Sequence, residues 1–90
     1  MTKEIWTVDK MVAYLASHGI NDGDTYALGG LGGGEIDGIE KIDGHWYTYF
    51  SERGSKNNYK QWPNEHEACE YIVRSAEELA RVYGMWQESE

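Results

Sequence analysis

Glu35-Ile36-Asp37-Gly38-Ile39-Glu40-Lys41-Ile42-Asp43-Gly44-His45-Trp46-Tyr47-Thr48-Tyr49-Phe50-Ser51 is the stretch on which the fold turns. Two runs rich in β-branched and aromatic residues flank Asp43-Gly44. That dipeptide suits a type I′ turn, in which both central residues take positive φ. A two-residue turn there sets the register. Ile42 pairs with His45, Glu40 with Tyr47 and Gly38 with Tyr49 on one face of the hairpin. Lys41 with Trp46, Ile39 with Thr48 and Asp37 with Phe50 share the other. Trp46, Ile39 and Phe50 are the expected core-facing set, leaving Glu40, Tyr47 and Tyr49 more exposed. Ile36 and Ile42 argue for the opposite facing, and a slip of one residue inverts the whole assignment.

Outward from the hairpin, residues 52–58 (Glu-Arg-Gly-Ser-Lys-Asn-Asn) read as a polar loop, and 59–62 as a short final strand stopped by Pro63. Asn64 opens a second helix, with Glu67 three residues on, an arrangement like the capping box. Glu65 and Glu67 also face the positive end of the helix dipole. Ala68, Tyr71, Ile72, Ser75, Leu79, Val82 and Tyr83 recur at helical spacing, and Gly84 ends the run. Met85 and Trp86 are expected to fold back onto the core and residues 87–90 to fray. Upstream, Thr7 caps a helix whose buried face is Val8, Met11, Val12 and Leu15, stopped by Gly19. Asn21-Asp22-Gly23-Asp24 is a polar turn, and Tyr26-Ala27-Leu28 a short strand. The glycine-rich run 29–34 reads as a flexible turn or bulge. The expected fold is a single α+β domain over residues 1–90: a helix, an antiparallel sheet of about four strands, and a C-terminal helix packed on the sheet.

Composition supports one small globular domain. The 90 residues are 40% hydrophobic and 27% charged, too apolar for a disordered acidic tail. Four Trp and seven Tyr supply large contact areas for a core or an interface. Cys69 is the lone cysteine, which excludes an intrachain disulfide and suits a reducing cytoplasm. Met1-Thr2-Lys3-Glu4-Ile5-Trp6 has no apolar core of signal-peptide length, and no run approaches ~18 consecutive apolar residues. The expectation is a cytoplasmic protein that does not enter a membrane.

Candidate chemistry does not assemble. Gly30-Leu31-Gly32 is followed by Glu35 where a dinucleotide loop needs a third glycine, and the Lys and Ser/Thr of a P-loop are missing. The segment also leads into a strand, which removes the helix N-terminus that would face a phosphate. His18, His45 and His66 lie on three different elements. Only His66 and Cys69, three apart on a helix, share a surface by spacing, and Cys69 adjoins the apolar stripe as a structural thiol would. Ser51, Glu52 and Arg53 are neighbours on a strand and point to alternating faces. The chain reads as a binding protein and not an enzyme, without cofactor or metal.

Charge carries the functional signal. Asp and Glu number 16 against 8 Lys and Arg, a formal net charge of −8. That balance repels nucleic acid and anionic membranes and favours a basic protein partner. Glu35, Asp37, Glu40 and Asp43 cluster with only Lys41 opposing them. From residue 65 onward seven acids face Arg74 and Arg81, whereas Arg53, Lys56 and Lys60 form a small basic stretch. The expected partner-binding set is Glu35, Asp37, Glu40 and Asp43 with Tyr47 and Glu52, and exposed Tyr47 and Tyr49 are natural anchors beside it.

The run Trp46-Tyr47-Thr48-Tyr49-Phe50-Ser51-Glu52-Arg53-Gly54, then 59–62, then Glu65-x-Glu67-Ala68-Cys69-x-Tyr71, resembles a pattern in small acidic bacterial immunity proteins. These belong to polymorphic toxin and contact-dependent growth inhibition systems. The resemblance covers about residues 29–73, half of the chain. It implies a cytoplasmic protein that binds the C-terminal domain of a cognate toxin, often a nuclease, and blocks its active site or substrate path. It transfers no particular contact residue. Two other classes fit the same residues: an acidic nucleic-acid mimic or adaptor that inhibits a host DNA- or RNA-binding protein, and a small ligand-binding domain using the aromatic sheet.

Overall fold

Thr7 starts the fold as expected. Its side chain accepts the Lys10 backbone N–H at 3.2 Å and caps α1 (Val8–Ser17), which buries Met11 and Leu15. The computed structural model describes residues 5–31 and 35–88 and continues with four strands: β1 (Tyr26–Leu28), β2 (Ile36–Ile42), β3 (His45–Glu52) and β4 (Ser55–Trp62). The chain then enters α2 (Glu65–Val82). Asn64 caps that helix by accepting the Glu67 N–H at 2.9 Å, and its side-chain amide donates to the Glu67 carboxylate at 3.3 Å, where a capping box would use the backbone N–H. Readings that fall on 1–4, 32–34 and 89–90 lie outside the described residues.

The strands form one sheet in the order β1-β2-β3-β4. The β2–β3 register is the one the Asp43-Gly44 turn demands, from Ile42 opposite His45 to Ile36 opposite Ser51. Asp43 and Gly44 both have positive φ, 50° and 81°.

Four features depart from the sequence reading. First, β4 is eight residues long. Arg53 and Gly54 (φ 47° and 79°) make a second tight turn of the same kind. Asn58 (φ 56°) sits where the register with β3 shifts between Thr48 and Phe50, so the asparagines that suggested a loop mark a bulge within the strand.

Second, β1 pairs with β2 in parallel, Tyr26 opposite Asp37 and Leu28 opposite Ile39, so the sheet is mixed. The cause is the path of the connection. The Gly29 and Gly30 carbonyls accept hydrogen bonds from Lys56 Nζ and the Tyr49 hydroxyl, both at 2.6 Å. The chain at Gly29 and Gly30 therefore lies above the face opposite the helices, and a connection that crosses over a sheet re-enters at the end opposite to the one it left, which makes the two strands parallel. Retracing a three-residue strand takes only about 10 Å at ~3.3 Å per residue, within the reach of a short glycine-rich segment.

Third, Tyr49 is 1% exposed. Its ring covers Gly38, leaving no room for a Cβ there, and lies against Tyr59 with the Lys56 ammonium 4.9 Å from its centroid. Burial first, then the Glu40 charge, push its phenol from 10.0 up to about 12. Fourth, Gln87 is pinned instead of frayed: its N–H donates to the His18 carbonyl and its own carbonyl accepts from His18 Nδ1 at 2.6 Å. Trp86 stacks on the His18 ring at 4.1 Å.

α2 packs on one face of the sheet, and α1 packs beside it against α2. The core there joins Met11, Leu15, Ile20, Tyr26 and Ile39 to Ala68, Cys69, Ile72, Ala76 and Ala80, with Trp46 and Trp62 packed at its margin. Ile39 and Trp46 thus face the helices as expected. Cys69 is fully buried, and burial with the nearby Glu65 charge pushes its thiol from 9.0 up to about 12. Among the described residues no helix is long and apolar enough to cross a membrane.

Gly38→Ala should destabilise the fold by ~1–3 kcal/mol through overpacking against Tyr49, as read from urea unfolding followed by tryptophan fluorescence. An unchanged midpoint would refute the close approach. Alkaline stability gives a second check. Cys69 and Tyr49 keep their protons when folded at pH values where the unfolded chain has released them, so unfolding there releases protons. Stability should be complete below pH 9, then decline as the pH rises towards about 12, and Cys69→Ala should flatten the early part of that decline.

Candidate functional site beside the second helix

Period-two alternation along β2 puts Asp37 and Glu40 on opposite faces of the sheet, and that separation decides what each can do. Asp37 lies on the helix side. Its carboxylate accepts the Ser75 hydroxyl at 2.5 Å and a hydrogen bond from the Tyr71 phenol. Ser75 and Tyr71 stand one turn apart on α2, so a single helix face supplies both donors. Burial first, then the charge and hydrogen bond of Asp37, raise the Tyr71 phenol above 10.0.

Two openings flank this carboxylate. One, of about 290 Å³, runs between the end of α2 and the start of β2, where Phe50, Leu79 and Val82 form an apolar floor rimmed by Glu35, Asp37 and Glu78. Val82 at its end is 74% exposed. The other, of about 490 Å³, opens towards β4 between Asp37, Phe50, Tyr71, Thr48, Asn58 and Lys60. There the Lys60 ammonium lies over the Trp62 indole, 4.2 Å from its ring centroid. Trp62 in turn donates its Nε1–H to Thr48. Asp37 and Phe50 line both openings, so the two hollows of this groove meet at these residues.

The six residues expected at the partner surface occupy three places. Glu35 and Asp37 line the groove, and Glu52 stands at the same end of the sheet, one position beyond the Ile36–Ser51 pair. Glu40 and Tyr47 are cross-strand partners on the opposite face. Glu40 is held there by Lys56 at 3.1 Å and by the Tyr59 hydroxyl at 2.8 Å, so its charge is largely spent within the fold. Asp43 is exposed at the far tip of the hairpin. Tyr49, expected as an exposed anchor, is buried, and Tyr47 is half-buried against Tyr59.

Sequence reasoning missed Ser75, Glu78, Leu79 and Val82 as groove residues. A serine inside an apolar helical stripe was the available signal. Glu78 also borders a depression with Arg74 and Arg81, but Arg81 is engaged by Glu77 and Glu88 at 3.0 Å each. His66 and Cys69 do not converge: His66 Nδ1 accepts the Trp6 N–H, whereas Cys69 is sealed in the core. Among the described residues no group of three or more His, Cys, Asp or Glu is arranged to hold a metal. Comparison with protein-family models, curated proteins and solved structures found no match to this chain.

Asp37→Asn should lower the Tyr71 phenol pKa towards 10.0, because the Asp37 charge is removed while burial, the largest cause, stays. Ultraviolet titration against a Tyr71→Phe reference reads this directly, and an unmoved titration would break the assigned pairing. Ser75→Ala should cost about 1 kcal/mol of stability in urea unfolding.

Proposed function

We propose that the protein is an immunity protein that binds a cognate, basic, nuclease-type toxin domain in stoichiometric fashion and so neutralises it. The observation that carries this reading is the groove at Asp37, where three carboxylates rim an apolar floor that ends in the protruding Val82. Apolar contact at the centre of a patch with charge at its rim is the usual anatomy of a specific protein interface.

Charge supports the same reading. The net −8 draws in a cationic partner from a distance, accelerating encounter, and nuclease surfaces are basic because they receive phosphates. Internal pairing then favours one side of the molecule. Glu40 on the open face is neutralised by Lys56, whereas Glu35 and Glu78 on the helix side have no cation within ion-pair distance among the described residues. Of the acids first expected at the surface, Glu35, Asp37 and Glu52 remain in the proposed contact, and Glu40 and Asp43 do not. The resemblance of 46–54 and 65–71 to bacterial immunity proteins points in the same direction, and with it to action in the cytoplasm.

The test is co-expression with candidate toxin C-terminal domains, beginning with any encoded beside this reading frame, followed by association kinetics on the purified pair. Glu35→Lys with Glu78→Lys should slow association about tenfold or more, flatten its salt dependence and remove protection. Asp43→Lys, at the far hairpin tip, should change association by less than about threefold. Equal binding to a panel of unrelated basic nucleases would instead favour the nucleic-acid mimic.

A further inference from the structure

Asp37 is an anion without a counter-ion. It is half-buried, satisfied by the Ser75 and Tyr71 hydroxyls, and among the described residues no Lys, Arg or His lies within ion-pair distance of it. Hydroxyl donors orient a carboxylate but leave its net charge and remaining lone pairs uncompensated in a partly desolvated site. Lys60 lines the far side of the groove, yet its ammonium rests over Trp62. The near side offers Phe50, Leu79 and Val82 as an apolar track leading from solvent to the carboxylate, with Glu35 and Glu78 at its mouth.

We infer that this half of the groove is a receptor for one arginine side chain of the partner. The inference rests on the inhibitory reading for the partner's identity, though not for the chemistry of the occupant. An aliphatic stem covers Leu79 and Val82, as long basic side chains do on apolar surface. The guanidinium then meets Asp37 at the end of the track. Its planar head, weakly hydrated, stacks on an aromatic face and divides five N–H donors among carboxylates on different sides. That match favours arginine over lysine, whose compact and strongly hydrated ammonium suits neither the Phe50 ring nor three separated acceptors. Asp37 is already oriented by two donors from α2, so the acceptor needs no rearrangement to receive the ligand.

The experiment titrates the full chain with end-blocked Gly-Gly-Arg-Gly-Gly and its lysine and citrulline counterparts, following backbone amide shifts by NMR. The arginine peptide should shift Asp37, Phe50, Ser75, Leu79 and Val82 and bind about fivefold or more tighter than the lysine peptide. The uncharged citrulline peptide should show no saturable shift. Asp37→Asn, which keeps the shape of the side chain, should weaken binding about tenfold or more. Glu78→Gln, on the helix surface and independent of the core, should weaken it by a smaller factor, and Lys60→Met should strengthen it. Shifts spread over the outer acids of α2, equal affinity for the two basic peptides, indifference to both Asp37→Asn and Glu78→Gln, or concentration-dependent shifts without peptide would each overturn the inference. Seating of the arginine peptide without protection of cells upholds it and removes the inhibitory reading. Protection that is lost on substitution elsewhere, with no seating, does the reverse.

Discussion

The close approach of α2 to the sheet is the constraint on which the rest of the molecule depends. The residues that α2 buries are Ala68, Cys69, Ile72, Ala76 and Ala80, four of them small. Small side chains bring the helix backbone near the strands, and the polar contacts across the layer follow from that proximity. Thr25, just ahead of β1, donates its hydroxyl to the Ala76 carbonyl at 3.0 Å in a fully buried bond. One residue earlier on the helix, Ser75 reaches Asp37 on β2. Larger residues on the stripe would lift the helix by overpacking, and the carboxylate would lose the donors that orient it. Core packing and the geometry of the groove are therefore one property of α2.

A single sheet separates two electrostatic environments. On the open face, Glu40 is closed into a small cluster with Lys56, Tyr59 and Tyr49, which also fastens the glycine crossover. That cluster is self-sufficient and mostly neutral. On the helix side, acids at the end of the sheet and the end of α2 face a partly apolar hollow, and among the described residues Glu35, Asp37 and Glu78 have no cation within ion-pair distance. Excess charge of this kind opposes compaction and contributes nothing to the core, while it raises the rate at which an oppositely charged molecule arrives.

How much of this was legible in the sequence depended on how local its cause was. The hairpin register and both helix caps follow from a few adjacent residues: Asp43-Gly44, Thr7 and Asn64. Arg53-Gly54 hid a second tight turn because arginine seldom adopts positive φ, and Asn57-Asn58 resembled a loop when it marks a bulge. A three-residue strand carries no periodicity from which a parallel partner can be read. Alternation alone leaves Tyr49 exposed, yet its hydroxyl is covered by a glycine segment distant in sequence. At the groove, the adjacency of Glu35, Asp37, Glu40 and Asp43 in the chain misled, since odd spacing on a strand sends side chains to opposite faces. The other half of the lining, Ser75, Glu78 and Leu79, becomes visible only once the helix is docked.

The crossover above the open face also divides the sheet by how local its contacts are. β2, β3 and β4 are linked by two-residue turns and close through local contacts, whereas β1 joins them across the glycine-rich segment, with Lys56 and Tyr49 receiving the crossing backbone. The N-terminal third is then clasped at both ends by α2 and the tail behind it, through Glu65 and His66 to the Val8 and Trp6 amides and through Gln87 to His18. Beneath these polar fastenings Met11, Leu15, Ile20 and Tyr26 are fully buried in the same core as Ile39 and the stripe of α2. The topology thus ties the N-terminal third into the core by contacts distant in sequence, while the three-stranded platform is held by local ones.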